Sequence, residues 1–241
     1  MKTLVLYALN FFDFFYKKKL LTHLKKVMKG NDNIFFDVGA HRGETVKMIV
    51  NNFNAKEIFA FEPLKSNFNR LKTNTSSIKK NKNIKVQYFN FALGVKKERK
   101  NIKEMIETSS STFNPIDTKS KYFKRKVFLL GGIFKKNIYK EREVLVEKAK
   151  DVVIKCNIKK IDLLKIDTEG FEFNVIKGFQ KELKKVRVIL FEHHYDLMIK
   201  KDYKYHDINN YLLNNNFKLL FKFKMPFRKT FEYLYFNEII K

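Results

Sequence analysis

The chain has 241 residues, of which 44% are hydrophobic, and it contains only 8 glycines and 3 prolines. This composition excludes a disordered or low-complexity protein and predicts one domain, or one domain with a short appendage. The single cysteine, Cys156, excludes an intrachain disulfide and a cysteine-based zinc site, which favours a reducing, cytoplasmic setting.

The N-terminal stretch Leu4–Tyr16 is strongly apolar and is followed by three lysines at positions 17–19. It is too short for a transmembrane helix, which needs about 20 residues. A signal peptide carries its basic residues before the apolar run, not after it. We therefore predict a helical appendage over residues 1–30 that packs on the domain. Peripheral contact with the inner membrane face is the alternative.

Short apolar strands alternate with helices from residue 31 onward. Strands are predicted at 34–38, 57–61, 84–91, 161–166 and 186–191, with an antiparallel pair at 217–223 and 231–236, and helices at 44–51, 66–75, 171–178 and 207–216. This alternation predicts an α/β domain over 31–241, with a mostly parallel seven-stranded sheet and helices on both faces. A basic insertion near 96–156 is expected to contain hairpin strands and a loop, with a turn at Gly131-Gly132.

The loop Asp37–Gly43 follows the first predicted strand and opens a helix. In open α/β sheets, ligands bind beyond the carboxyl ends of the strands. Gly39 permits a tight turn and a close approach of the backbone to a ligand. The loop lacks the Gly-Lys-Ser/Thr of a P-loop and the Gly-x-Gly-x-x-Gly of dinucleotide-binding proteins. The glycine spacing therefore disfavours NAD, which remains an alternative.

Two carboxylates near this loop narrow the choice of cofactor. Glu62 ends the next strand, where its carboxylate can accept hydrogen bonds from both hydroxyls of a ribose. Asp37 precedes the glycines and adds negative charge, which suits a ligand carrying an ammonium and a sulfonium better than a pyrophosphate. The pair favours a nucleoside cofactor that carries positive charge.

Several segments resemble the FkbM family of methyltransferases. The segments are Asp37–Gly43, Phe61–Pro63 and Leu163–Glu172, supported by Asn90–Gly94, Ser109–Ser111 and Ile176–Gly178. Their order and spacing agree with the family, and the resemblance covers roughly residues 33–220. The block Lys165-Ile166-Asp167-Thr168-Glu169-Gly170 is its most specific part.

The resemblance implies a Rossmann-like class I methyltransferase fold, S-adenosylmethionine as methyl donor, and a hydroxyl acceptor on a sugar, a glycan or a secondary metabolite. It also implies that the first loop lines the methionine end of the cofactor, that the acidic residue after the second strand holds the ribose, and that the segment after the third strand lies near the adenine. The predicted cofactor-binding residues are Asp37, Gly39, His41, Gly43, Glu62, Phe91 and Ala92. His41 stands where the family more often has Asn.

A hydroxyl acceptor is a poor nucleophile, so its methylation needs a base or a metal. Asp167 and Glu169 follow the fourth strand, and Glu192, His193 and His194 end the fifth. We predict Asp167, His193 and His194 as catalytic residues. Because strand side chains alternate, one histidine should face the site and the other away. No residue is assigned as a metal ligand, although a divalent ion remains an alternative.

Two other functions remain open. The net charge of +26, with Lys119–Arg142 as its most basic stretch, could serve RNA binding, a membrane surface or neither. Amino-methylating nucleic-acid enzymes end their fourth strand in Asn/Asp-Pro-Pro-Tyr/Phe, and here the segment reads Ile166-Asp167-Thr168. Nucleic acid is therefore not the predicted partner. A ribose methyltransferase and a non-catalytic, membrane-apposed basic protein are the alternatives.

Overall fold

The computed structural model describes residues 2–28, 30–31, 33–81, 84–105, 110–129 and 139–240. The helices are α1 (Lys2–Val27), α2 (Glu44–Asn52), α3 (Lys65–Asn81), α4 (Lys121–Leu129), α5 (Ala149–Lys155), α6 (Glu172–Gly178) and α7 (Tyr205–Asn214). The strands are β1 (Asn33–Val38), β2 (Ala55–Phe61), β3 (Lys85–Phe89), β4 (Ala92–Gly94), β5 (Glu98–Met105), β6 (Tyr139–Lys148), β7 (Ile161–Ile166), β8 (Val186–His194), β9 (Phe217–Lys224) and β10 (Thr230–Asn237).

Seven strands form the main sheet in the order β3-β2-β1-β7-β8-β10-β9. The first five are mutually parallel, and β10 runs antiparallel to both of its neighbours. All six residues of β7 are buried, as expected of a central strand covered on both faces. The predicted α/β fold with a mostly parallel seven-stranded sheet is thereby confirmed.

The chain order of the strands reverses between β1 and β7, because β2 lies on one side of β1 and β7 on the other. Crossover connections diverge at such a point and leave a crevice beyond the strand ends. Two apolar layers cover the sheet. One contains Phe36, Ile166 and Phe179, and the other contains Phe35 and Leu163.

The N-terminal helix α1 packs on the second of these layers. Leu20, Leu24 and Met28 are buried there, at 8%, 0% and 5% exposure. Tyr16, one turn earlier, donates a hydrogen bond to Glu232 on β10. Across the described residues, no helix combines the length and apolar character needed to span a membrane. Helix α1 therefore contributes to the core of the domain through its C-terminal half.

The basic insertion builds a second, three-stranded sheet in the order β4-β6-β5. The antiparallel pair of β5 and β6 matches the predicted hairpin strands, but helices α4 and α5 were not predicted. Val152 and Val153 of α5 are buried in the main core, so tertiary packing overrides the low helix propensity of β-branched residues. The predicted turn at Gly131-Gly132 lies outside the described residues.

The predicted third strand is too long, since it is divided at Asn90. The Asn90 side chain donates hydrogen bonds to the carbonyls of Glu62 and Pro63, at 2.9 Å each. These bonds turn the chain out of the main sheet and start β4 in the small one. Helix α3 extends six residues beyond the predicted end at residue 75, and β8 continues three residues beyond residue 191.

Candidate active site

A cleft opens at the carboxyl ends of β1, β2 and β7, at the point where the strand order reverses. Its lining includes Gly39, Ala40, His41, Glu62, Ala92, Ile102, Ser111, Phe113, Asp167, Thr168 and Glu169. The cleft therefore brings together five of the predicted site residues and the turn that follows β7. It lies where the topology of the sheet predicts a ligand.

Gly39 allows β1 and β7 to approach each other at the base of the cleft. Its φ of +85° is disfavoured for residues with a side chain. A Cβ at this position would lie 1.9 Å from the backbone oxygen of Asp167. The Gly39 amide donates to the carbonyl of Phe61, so the glycine connects the ends of three strands.

His41 occupies the left-handed region with φ of +47°, where Asn, Asp and His are enriched among non-glycine residues. Its backbone amide donates to Glu62 Oε2 at 3.0 Å, and its ring Nδ1 lies 3.5 Å from Glu44 Oε2. Backbone conformation explains how His can replace Asn here. The backbone amide of His41, through its hydrogen bond to Glu62, helps to orient the Glu62 carboxylate.

Glu62 follows β2 directly, and only 5% of the residue is exposed. Its carboxylate accepts hydrogen bonds from the backbone amides of His41 and Leu64, at 3.0 and 2.9 Å. Burial raises the pKa of Glu62 to about 7, although both hydrogen bonds lower it. The carboxylate is therefore held in a fixed orientation at the cleft wall, as a ribose-binding group requires.

Three predicted cofactor residues lie outside the cleft lining that the described residues define. A Cβ at Gly43 would lie 2.7 Å from Thr75 Cγ2 and 3.1 Å from Leu71 Cδ1, so Gly43 packs α2 on α3. Phe91 packs on the rings of Phe61 and Phe89. Asp37 lies beneath the Gly39 turn with no exposed surface.

Asp37, Lys165 and Asp167 form a buried charged row below the cleft. Lys165 Nζ donates to Asp167 Oδ2 at 2.9 Å, and Lys165 pairs with Asp37 across the β1–β7 register. Burial raises the pKa of Asp37 to about 7, which Lys165 opposes. Burial also acts to raise the pKa of Asp167, but Lys165 outweighs it and holds that pKa below its ordinary value. Asp167 therefore stays ionised, with 34% of its side chain exposed to the cleft.

A second polar group, which we call the 169/192/194 cluster, lies beside Asp167. His194 Nε2 is 3.0 Å from Glu192 Oε1 and 3.2 Å from Glu169 Oε2. Burial raises the pKa of Glu192 to about 8, with a contribution from Asp167. Burial lowers the pKa of His194, but Glu169 and the other nearby carboxylates outweigh it and hold that pKa well above its ordinary value. Glu169 belongs to both the cluster and the cleft.

The two predicted histidines face opposite sides of the sheet, as the alternation of strand side chains requires. His193 packs edge-on against Tyr195 and tilts against Tyr203, in a second groove that His194 also lines. Its Nε2 lies 3.5 Å from Lys201 Nζ. Burial, with a contribution from Lys201, lowers the pKa of His193 to about 3. Of the pair, the structure brings His194 to Asp167 and Glu169 and leaves His193 on the far side.

The insertion supplies site residues that the sequence did not assign to a role. Ile102, Ser111 and Phe113 line the cleft. Thr112 Oγ1 donates to the carbonyl of Glu169 at 2.6 Å, and Asn114 Nδ2 donates to the carbonyl of Gly170 at 2.7 Å. The loop therefore holds the turn after β7 in place. The serine-rich segment was the only feature of the sequence that indicated a role for this loop.

Glu172, the first residue of helix α6, holds the turn that precedes the helix. Its Oε1 accepts hydrogen bonds from the amides of Thr168 and Gly170, at 3.2 and 2.8 Å, and from the Thr168 hydroxyl at 3.1 Å. These donors lie in the turn between β7 and α6, so Glu172 fixes the backbone of that turn. The carboxylate of Glu169 is directed instead to His194.

The strand order and the cleft at its switch point define a class I methyltransferase fold. The model of the methyltransferase FkbM domain matches residues 37–219, and the chain belongs to this family. A search of curated proteins finds no match.

Solved structures show the same fold. Methyltransferase FkbM from Methylobacillus flagellatus KT is 14% identical with a TM-score of 0.56, over 86% of this chain and 43% of that one. An rRNA methylase from Streptococcus thermophilus is 7% identical with a TM-score of 0.51, over 91% and 94%. TrmK from M. capricolum, in complex with S-adenosylhomocysteine, is 8% identical with a TM-score of 0.50, over 90% and 67%. This chain thus spans less than half of the FkbM structure.

Proposed function

We propose that this chain is an S-adenosylmethionine-dependent O-methyltransferase acting on a hydroxyl of a sugar, a glycan or a secondary metabolite. The observation that carries the proposal is the position of Glu169, which lines the cleft and also belongs to the 169/192/194 cluster. A fixed nucleoside-binding wall and a set of proton-accepting groups therefore meet at one turn. Methyl transfer to oxygen requires both.

The cleft fits the cofactor in two respects. Glu62 presents a carboxylate at the end of β2, oriented by two backbone amides, where the ribose hydroxyls of a nucleoside would bind. Gly39 packs against the Asp167 backbone and lets the ends of β1 and β7 meet at the base of the cleft. When bound, S-adenosylmethionine supplies a methyl group on a positively charged sulfur, which is strongly electrophilic.

The negative charge below the turn complements such a cation. No described residue hydrogen-bonds either oxygen of Asp37, and Asp167 stays ionised beside it. Lys165 pairs with Asp37 in the strand register and donates to Asp167. A bound cation would favour the ionised form of Asp37, whose pKa is about 7. A preorganised negative field of this kind stabilises a cationic ligand without reorganisation.

The acceptor hydroxyl has to be oriented and relieved of its proton. Asp167 and Glu169 line the cleft and present carboxylate oxygens that accept a hydrogen bond from a hydroxyl. Glu192 lies directly behind them with a pKa of about 8, a value suited to holding a proton near neutral pH. We assign Asp167 and Glu169 to orientation of the acceptor and Glu192 to proton uptake, with His194 between the two glutamates.

The proposal is tested by measuring cofactor binding and the fate of a labelled methyl group. We expect S-adenosylmethionine and S-adenosylhomocysteine to bind one per chain in calorimetry. We expect label from methyl-tritiated cofactor to enter hydroxylated saccharides and not RNA. The variant Glu62→Gln should weaken cofactor binding, while Glu57→Gln, on the same strand outside the cleft lining, should not.

Two results would contradict the proposal in different ways. Absence of cofactor binding to a folded chain would exclude a methyltransferase and favour a basic, membrane-apposed protein. Label incorporated into RNA would retain the methyltransferase and replace the acceptor class. The exposed basic residues of the insertion make that comparison necessary, because a net charge of +26 binds RNA non-specifically at low salt.

A further inference from the structure

We propose that Glu169, Glu192 and His194 form a binding site for one divalent cation of the first transition row, such as Mn²⁺, at the wall of the cleft. The proposal deepens the O-methyltransferase assignment and rests on it for the role of the ion. One ligand atom from each residue lies within 4.8 Å of the other two. The ligands come from two neighbouring strand ends, β7 and β8.

The separations within the cluster match those of metal ligands. Two ligands about 2.1 Å from a metal and at right angles to each other lie roughly 3.0 Å apart. His194 Nε2 is 3.0 Å from Glu192 Oε1 and 3.2 Å from Glu169 Oε2. The imidazole nitrogen therefore has the position of a ligand adjacent to both carboxylates.

The His194 ring is oriented as a ligand by its other nitrogen. Nδ1 lies 3.1 Å from Thr230 Oγ1 and 3.4 Å from Asp196 Oδ2, on the side away from the cluster. An acceptor at Nδ1 keeps the proton on that nitrogen when a metal takes the place of the proton on Nε2, as in carboxylate–histidine–metal arrangements. Such a second acceptor is typical of metal-binding histidines.

His194 Nε2 is a buried atom whose close contacts with Glu169 and Glu192 lack hydrogen-bond geometry. The side chain is 9% exposed, and within the described part of the chain neither Nε2 nor Glu169 Oε2 has a hydrogen-bond partner of acceptable geometry. Buried polar atoms are seldom left in this state, and a bound ion is one of the few explanations. These two atoms point to a ligand between them.

The turn that carries Glu169 is fixed before any ligand arrives. Glu169 has a φ of +51°, a conformation that costs a non-glycine residue free energy. Its carbonyl accepts the hydroxyl of Thr112 at 2.6 Å, and the next amide, of Gly170, donates to Glu172. Backbone strain that is held by such contacts marks functional positions, and here it directs a carboxylate toward His194.

The ligand set also defines the kind of ion. Two carboxylates and one imidazole combine ligands preferred by Mn²⁺ with one that suits the later transition metals. An all-oxygen set would favour Mg²⁺. Bound here, a cation would lie beside Asp167 at the Glu169 edge of the cleft, where it would coordinate an acceptor hydroxyl and lower its pKa. Glu192 would then be a ligand, and Asp167 rather than Glu192 would accept the proton.

The test measures Mn²⁺ binding directly, without the methyl-transfer reaction. The chelator-treated full chain is titrated with MnCl₂, and bound ion is followed by calorimetry and by loss of the free Mn²⁺ signal in electron paramagnetic resonance. We expect a single Mn²⁺ per chain. Glu192→Gln and His194→Gln should each weaken binding by roughly 10–100-fold.

His193→Gln is the matched control, because His193 is adjacent in sequence and faces the opposite side of the sheet. It should leave the Mn²⁺ affinity unchanged within experimental error. Circular dichroism and binding of S-adenosylhomocysteine verify that each variant is folded. If His194→Gln fails to fold, Glu169→Gln removes a different ligand, in a turn that is fixed by backbone contacts.

The metal site is overturned if the folded chain binds neither Mn²⁺ nor Zn²⁺, in which case His194 is an imidazolium paired with two glutamates. It is also overturned if His194→Gln and His193→Gln weaken Mn²⁺ binding equally. Mn²⁺ binding that follows these expectations in a chain that binds no S-adenosylhomocysteine would uphold the site and reject the methyltransferase proposal. Failure of the metal site and failure of the methyltransferase proposal are therefore distinguishable.

Discussion

The backbone oxygen of Asp167 lies 1.9 Å from the position that a Cβ of Gly39 would occupy. Residues that end two neighbouring strands therefore touch through backbone alone. This contact sets the width of the cleft at the switch point of the sheet and places the Asp167 side chain beside the turn that carries the predicted cofactor site. It also predicts different consequences for the two glycines of the loop.

Substitution Gly39→Ala should abolish binding of S-adenosylhomocysteine, because the Cβ would push β7 away from β1 and a φ of +85° adds strain. Gly43→Ala should instead destabilise the chain by roughly 1–3 kcal/mol through crowding of Thr75 and its own positive φ, with little change in the affinity of the folded fraction. Calorimetry and urea denaturation measure the two quantities. Equal losses of affinity would show that Gly43 also contacts the cofactor.

Cofactor affinity should depend on pH through Glu62. Its pKa is raised to about 7 by burial, so the folded, unliganded chain takes up a proton as the pH falls through 7. A protonated carboxyl accepts hydrogen bonds from the ribose hydroxyls poorly, and affinity should therefore fall by up to about tenfold per pH unit below 7. The ligand for this measurement is 5′-methylthioadenosine, which has the ribose but no amino-acid group.

Glu62→Gln supplies the control for that measurement. It should bind 5′-methylthioadenosine more weakly at pH 8 and show a flat profile between pH 5.5 and 7.5. A profile of Glu62→Gln that is as steep as that of the natural chain would assign the titration to another group. Asp37, with its pKa also near 7, is then the candidate.

Asp167→Asn should reduce methyl transfer by roughly 100-fold or more while leaving the fold intact. Lys165 would lose its hydrogen-bond partner but remain close to the carboxyl groups of Asp37, Glu192 and Glu232. Asp162→Asn is the matched variant. Asp162 is a buried carboxylate at the end of β7 that is remote from Asp167, and it accepts a hydrogen bond from the Ile34 amide. Full activity of Asp167→Asn would remove Asp167 from the site.

Tyr16→Phe should destabilise the domain by roughly 1–3 kcal/mol, because it leaves the buried carboxyl of Glu232 without its hydroxyl partner. Thr22→Ala on the same helix removes only a bond to the Lys18 carbonyl at the surface and should change stability little. Urea denaturation of the two variants measures the difference. Unchanged stability in Tyr16→Phe would indicate that α1 contributes through its apolar face alone.

Much of the fold could be predicted because strands covered on both faces need continuous apolar runs. Residues 34–38, 161–166 and 186–191 are such runs, and their order fixes a mostly parallel sheet. Helix α5 could not be predicted, since its β-branched residues favour a strand until packing on the core decides otherwise. The division of β3 depends on the Asn90 side chain reaching two carbonyls from another strand end.

The sequence alone predicted the loop Asp37–Gly43, Glu62 and the acidic turn after β7 as parts of one site, because these residues form contiguous motifs at strand ends and their spacing is local. Only the tertiary structure decided that His194, rather than His193, meets Glu169 and Glu192, and that Gly43 serves helix packing. Those facts depend on strand pairing and helix packing between segments more than twenty residues apart. The alternation of side chains along a strand predicts that adjacent residues face opposite sides of the sheet. Which residues pack on each side is decided by the rest of the fold.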